Sequence, residues 1–266
     1  MPPDRIAACA DLLAEIRLGD RQLPALPDAL RPRDEPEAYA VQFALHDRLR
    51  QAGLGRRAGW KIGCTTEVMQ QFLGIGSPCA GGMFETGIRS GPAAFPHAGL
   101  RKPGVECEIA VRLAMDVPTA GAPYHKDGIA RYVGAVMAAM EVVEERFIDF
   151  RDRAVDAPSL IAEDFFHVAA VLAPERPEWQ TLDLAALTGQ TWIAGEERGS
   201  GAGADVMGHP FAALAWLANH LAEFGLALAA GDVVLTGSVV ASQYPEGPAE
   251  AVTEIARLGR VTTRFT

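Results

Sequence analysis

An α+β fold is the expectation for this chain. Two amphipathic helical stretches open it, a long strand-like alternation sits near its middle, and short apolar runs parted by turns close it. At 266 residues it can bury a substantial core, as one large domain or one domain with a small appendage. With 49% apolar and 22% charged residues the composition is that of a globular protein rather than a disordered one. The formal net charge of −10 argues against nucleic acid or an anionic membrane surface as partner. It leaves room for an anionic substrate, because a metal or a local lysine or arginine can reverse the field inside one pocket. The four cysteines, Cys9, Cys64, Cys79 and Cys107, form no CxxC pair, so zinc thiolate and disulfide frameworks are not expected and a reducing cytoplasm is the default. The charges at Asp11, Glu15 and Arg17 make the N-terminus an amphipathic helix rather than a signal peptide, and no apolar run reaches membrane-spanning length.

The first helix is expected over 6–18, with Ile6, Cys9, Leu12, Leu13 and Ile16 as one stripe and Gly19 as its stop. A proline-rich loop over 23–36 leads into a second helix at 37–52, closed by Gly53. His46 on it reads as structural or exposed. The stretch 58–63 reads as a short strand between glycines, with Lys61 facing away from Trp60 and Ile62. That lysine can meet a substrate carboxylate, or exchange a proton if burial lowers its pKa, or simply guard a strand edge. Thr65, Thr66 and Glu67 cap a short helix over 68–73. The glycine- and proline-rich 74–104 looks irregular, and Gly81-Gly82 within it suggests a closely approached backbone.

Over 105–115 the apolar residues Val105, Cys107, Ile109, Val111, Leu113 and Met115 alternate with Glu106, Glu108, Ala110, Arg112 and Ala114. That is a strand with both acids on one face. Two like charges so placed repel unless water or a cation lies between them, and a hard divalent ion would turn repulsion into attraction. A solvated Glu-x-Glu face is the ordinary alternative. Beyond a loop at 117–124, the spacing of Ile129, Val133, Val136, Met137 and Met140 predicts a helix over 128–140. Glu141 follows, embedded between Met140 and Val142-Val143, where an unpaired carboxylate is costly. It is the candidate third ligand. Glu144 and Glu145 read as solvated or salt-bridged, with Arg146 as a partner.

Strands are expected at 168–172 and 187–196, and 199–208 reads as a mobile glycine-rich stretch. A helix over 210–224 starts at Pro210 and buries Leu214, Leu217, Leu221 and Phe224. The buried strand 233–235 runs into Thr236-Gly237-Ser238, whose hydroxyls and N–H groups suit a carboxylate or make a plain turn. Strands at 251–258 and 260–265 finish the chain.

Seven segments, LPALPD (23–28), EAYAVQFALHDRL (37–49), GWKIGCT (59–65), GVECEIAVRL (104–113), MEVVEERF (140–147), HPFAALAWLANHLAEFG (209–225) and GDVVLTGS (231–238), together resemble the fumarylacetoacetate hydrolase superfamily. Within it they are most similar to the branch of 2-keto-4-pentenoate hydratases and 4-oxalocrotonate decarboxylases of aromatic catabolism. The resemblance implies a twisted mixed β-roll with peripheral helices, with a mainly helical segment (1–75) packing on a catalytic domain (76–266). It implies Mg²⁺ or Mn²⁺ held by Glu106, Glu108 and Glu141, an active-site lysine at Lys61, and substrate lining by Thr236, Gly237 and Ser238. It implies a homo-oligomer, with association between hydratase and decarboxylase subunits known in the branch.

Such a centre would chelate a 2-oxo acid and stabilise its enolate, serving hydration of a 2-hydroxy-2,4-dienoate or loss of carbon dioxide. Hydrolysis of an acylpyruvate is a third outcome; it needs a base, for which only His167 and His125 offer themselves, both outside the acidic motifs. A non-catalytic partner subunit that keeps the fold is the reading of another class. Two positions depart from the family pattern. Cys79 stands where an acid is usual, and Glu163-Asp164-Phe165-Phe166 replaces Asp-Asn-Ala-Ser, so two phenylalanines would reshape any pocket they line.

Overall fold

A seven-stranded mixed sheet carries the acidic strand at its centre, and a five-stranded sheet packs against it. The computed structural model describes residues 1–151 and 155–266. The helices are α1 (Pro3–Leu18), α2 (Glu35–Leu49), α3 (Glu67–Leu73), α4 (Lys126–Ile129), α5 (Ala157–Ala162) and α6 (Pro210–Glu223). The strands are β1 (Arg57–Gly63), β2 (Cys79–Phe84), β3 (Ile88–Ser90), β4 (Ala93–Phe95), β5 (Pro103–Leu113), β6 (Val133–Glu144), β7 (His167–Leu172), β8 (Thr188–Ile193), β9 (Glu196–Ala202), β10 (Val233–Gln243), β11 (Ala249–Ile255) and β12 (Gly259–Phe265). The larger sheet has the order β2-β1-β10-β5-β6-β7-β3, the smaller β4-β12-β11-β8-β9. Parallel pairs (β1 with β10, β3 with β7, β4 with β12) sit among antiparallel ones, as an α+β fold of mixed sheets requires.

The strand expected over 105–115 is β5, and its apolar side, from Val105 to Val111, is fully buried against β8 and β11. The helix expected over 128–140 is instead mostly β6. A single turn (α4) precedes it, and from Ala135 onward β6 is buried on both faces. A strand covered on both sides has no polar alternation to report it, and valines among small residues satisfy a helical spacing just as well. The irregular stretch 74–104 contains β2, β3 and β4, and 199–208 contains the end of β9 rather than a mobile loop. The glycines of β2 explain its misleading composition. A Cβ on Gly82 would lie 2.5 Å from the His46 ring and one on Gly81 3.2 Å from the Lys61 side chain.

α1 and α2 pack on one another, and α2 covers β1 and β2 through Tyr39, Gln42 and His46. The Asp34 side chain caps α2 by accepting from the Glu37 amide at 2.9 Å. The stretch 1–75 thus supplies two packing helices and also β1, a strand of the larger sheet. Among the described residues, no helix is long and apolar enough to cross a membrane, and all four cysteines are free.

Candidate metal centre and its cavity

Register brings the acids together. In the antiparallel β5–β6 ladder Glu106 stands directly opposite Glu141, and Glu108 lies two residues along β5 on the same face. One carboxylate oxygen from each of the three lies within 4.8 Å of the others. Glu108 and Glu141 are fully buried, and Glu106 opens toward a cavity. The Glu108 carboxylate accepts from the Gly237 amide at 2.8 Å, while Glu106 accepts from the Ser242 hydroxyl at 2.5 Å. Glu108 Oε1 and Glu141 Oε2 are buried with no hydrogen-bond partner. Such orphaned anionic oxygens are costly unless a cation or proton meets them.

Lys61 reaches the same point from β1, with Nζ 3.4 Å from Glu141 and donating to the Phe165 carbonyl at 3.3 Å. Three carboxylates and one ammonium leave a formal charge of −2, which a divalent cation neutralises. The donor set, all carboxylate oxygen, suits a hard ion of the Mg²⁺ or Mn²⁺ kind. Burial pushes the Glu106 and Glu108 carboxyls above the usual range, and the Glu141 charge adds to it. Burial acts the same way on Glu141, but Lys61 and His167 outweigh it and hold that carboxyl below its ordinary value. For Lys61, burial alone would lower the pKa. The acids, Glu141 foremost, outweigh it and keep the side chain an ammonium, so burial-driven proton loss is reversed in sign.

His167 lies behind Glu141, its Nδ1 2.8 Å from the carboxylate. Burial holds its pKa down, so a neutral ring donating through Nδ1–H fits the geometry. The sequence offered His167 only as a distant base; it is instead the fixed neighbour of a candidate ligand. His125 is exposed at the start of α4. Of the Thr-Gly-Ser run, Thr236 donates its hydroxyl to the Ile109 carbonyl at 2.7 Å, Gly237 serves Glu108, and Ser238 faces the cavity. Cys79, in the place of the family's acid, is buried in β2, and contact with Cys64 followed by burial pushes its thiol well up, so it is no carboxylate substitute.

The cavity is about 400 Å³ and is lined by Lys61, Glu106 and Ser238 together with Phe165 and Phe166. Those phenylalanines and Asp164 take three successive left-handed conformations, with φ of 65°, 48° and 67°. For side-chain-bearing residues each costs on the order of 1–2 kcal/mol. The turn is held by long-range bonds that sequence spacing did not reveal. Asp164 accepts from His46 at 2.7 Å, from Arg17 at 2.5 Å and from the Gly82 amide at 2.9 Å. Beside it, Arg146 pairs with Glu163 at 2.7 Å and with Glu144, which also binds Arg101, while Glu145 pairs with Lys102. The expected salt-bridged reading of Glu144 and Glu145 is therefore right, but both are buried.

The family model described as fumarylacetoacetate (FAA) hydrolase C-terminal matches residues 82–266. A 2-keto-4-pentenoate hydratase of Paraburkholderia phymatum is 32% identical over 98% of both chains. One from Burkholderia vietnamiensis is 34% identical over 98% of this chain and 97% of its own. The 4-oxalocrotonate decarboxylase of Pseudomonas putida G7, solved with magnesium and adipate, shares the fold with a TM-score of 0.92 at 24% identity, covering 100% of this chain and 99% of that one.

Proposed function

The chain belongs to the fumarylacetoacetate hydrolase family, and from that premise we propose that it is a divalent-metal-dependent lyase that hydrates 2-hydroxypenta-2,4-dienoate, the enol of 2-keto-4-pentenoate. The observation that carries the proposal is the convergence of Glu106, Glu108 and Glu141 beside Lys61, with two buried carboxylate oxygens left without a partner. The hydratase names of relatives at 32% and 34% identity support the substrate class. Glu106, Glu108 and Glu141 would hold Mg²⁺ or Mn²⁺, as the magnesium of the fold neighbour supports. When bound, that ion supplies Lewis acidity to a chelated 2-oxo acid.

The chain's own groups do the rest. The Lys61 ammonium, oriented by the Phe165 carbonyl, binds the substrate carboxylate and holds a proton at Nζ within reach of the dienol. His167 fixes the Glu141 carboxylate through Nδ1–H. Ser238 offers a hydroxyl at the cavity wall, and Phe165 and Phe166 limit bulk water around the reacting carbons. A decarboxylase of 4-oxalocrotonate is the second reading, favoured by a relative of Pseudomonas putida at 28% identity. Its substrate carries a second carboxylate, and among the described lining residues Lys61 is the only cation. We further propose a homo-oligomer, which the exposed Leu18, Met115 and Ile148 support, and a reducing cytoplasm, which the free cysteines support.

Incubation with 2-hydroxypenta-2,4-dienoate and Mg²⁺ or Mn²⁺ is expected to yield 4-hydroxy-2-oxopentanoate; a chain that binds the metal but turns over no dienol would be the non-catalytic partner instead. Lys61→Met is expected to lower kcat by about 10²–10⁴-fold, the usual weight of a positioned proton-transfer group. Metal binding should persist or tighten, since a competing positive charge has gone. Unchanged kcat in that variant would remove Lys61 from the chemistry.

A further inference from the structure

The cavity is polar at one end and aromatic beyond it. From Lys61 Nζ the Phe165 ring centroid lies 5.9 Å away, Phe166 follows at 6.1 Å from Phe165, Phe150 at 5.1 Å from Phe166, and Phe72 at 6.5 Å from Phe150. This row leads from the acid-binding end to the surface, where Phe72 on α3 is 53% exposed. Val68, Met69 and Leu160 complete the apolar wall. The Phe165-Phe166 backbone is pinned in its left-handed turn by the Asp164 bonds, so the wall is prearranged. Among the described lining residues the charged groups other than Lys61 are Glu106 and Asp205, both acidic. Arg151 stacks on Phe150 at 4.8 Å without lining the cavity.

We propose that the natural substrate is a 2-hydroxy-2,4-dienoate bearing an apolar substituent, alkyl or aryl, on the carbon farthest from its carboxylate, and that Phe165 and Phe166 seat that substituent. The proposal rests on the hydratase reading and sharpens it. A space of about 400 Å³ equals roughly a dozen waters at about 30 Å³ each, more than the eight heavy atoms of a five-carbon oxo acid fill. An alkyl or phenyl tail buries against the aromatic row with favourable transfer from water. A second carboxylate there would lose its hydration against ring faces and acidic neighbours, with no cation among the described lining residues to replace it.

The test is kcat/KM for dienoates carrying hydrogen, methyl, propyl, phenyl or carboxylate on C5, with Mg²⁺ present. Propyl and phenyl are expected to exceed hydrogen by about 10-fold or more, the scale of apolar pocket discrimination, and carboxylate to fall below it. Phe166→Ala should flatten the series. Calorimetric binding of 2-oxopentanoate, 2-oxooctanoate and 2-oxoadipate to the Mg²⁺-loaded wild type provides a readout free of turnover and of variant folding. There 2-oxooctanoate should bind about 10-fold more tightly than 2-oxopentanoate, and 2-oxoadipate more weakly than either. Equal affinities, or a preference for the dicarboxylate in either assay, overturn the proposal. Absent turnover of every dienoate with the chain-length preference intact in calorimetry would instead reject the hydratase reading and leave the apolar seat standing.

Discussion

Glu108→Gln is expected to leave the protein as stable as wild type or more so in EDTA, while abolishing the rise in Tm that Mg²⁺ or Mn²⁺ brings. Glutamine keeps the shape and an oxygen for the Gly237 amide. It removes one of three carboxylates whose mutual repulsion the Lys61 ammonium only partly offsets in the metal-free protein. At a metal concentration about 100-fold above Kd, a ligand specific to the folded state adds about 2.7 kcal/mol. For a chain of this size that is a rise of roughly 5–10 °C. Turnover should fall by more than about 100-fold, beyond the usual cost of losing an outer partner of a metal ligand. Thermal melts with and without metal decide it: a variant that still gains several degrees from Mg²⁺ would show that Glu108 is no ligand.

Asp164→Ala should destabilise the fold by about 3–5 kcal/mol, the cost of breaking a buried ion pair from one side. It strands the Arg17 guanidinium, the His46 ring and the Gly82 amide, and releases a turn of three left-handed residues. The effect depends on pH. Burial pushes the Asp164 carboxyl up, but His46 and Arg17 outweigh it and hold it well below its ordinary value. Arg17 is itself lowered by burial, yet a guanidinium stays charged throughout the working range. A depressed folded-state pKa contributes stability that is complete above the unfolded value of about 3.9 and is lost as pH falls toward the folded one. Urea unfolding of wild type and Asp164→Asn should therefore show a gap that shrinks as pH falls below about 4. A gap independent of pH would mean that the carboxylate charge does not hold the turn.

The candidate ligands were legible because each broke a local pattern. Glu106 and Glu108 share one face of an alternating strand, and Glu141 is a charge inside an apolar run. Lys61 stood out between glycines. What surrounds them was hidden for identifiable reasons. β6 carries a helix-like spacing in the sequence because burial on both faces erases the period of two. β2 has a loop-like composition because its glycines admit His46 and Lys61 side chains that arrive from other elements. The Arg17–Asp164–His46 cluster and the seat of Glu141 on His167 join residues remote in the chain, and no local spacing encodes such pairs. The Phe165-Phe166 departure was readable as a pocket change, but the left-handed turn that presents it was not.

The parallel pairing of Lys61 on β1 with Leu235 on β10 has a kinetic corollary. β1 also pairs with β2 close by in sequence, but only β10 joins those two strands to the β5–β6 ladder that carries the acids. Contacts of such long range are slow to close. On a nascent polypeptide the acids of β5 and β6 therefore emerge before β10 can seat Lys61 beside them, so the candidate centre is completed late in folding.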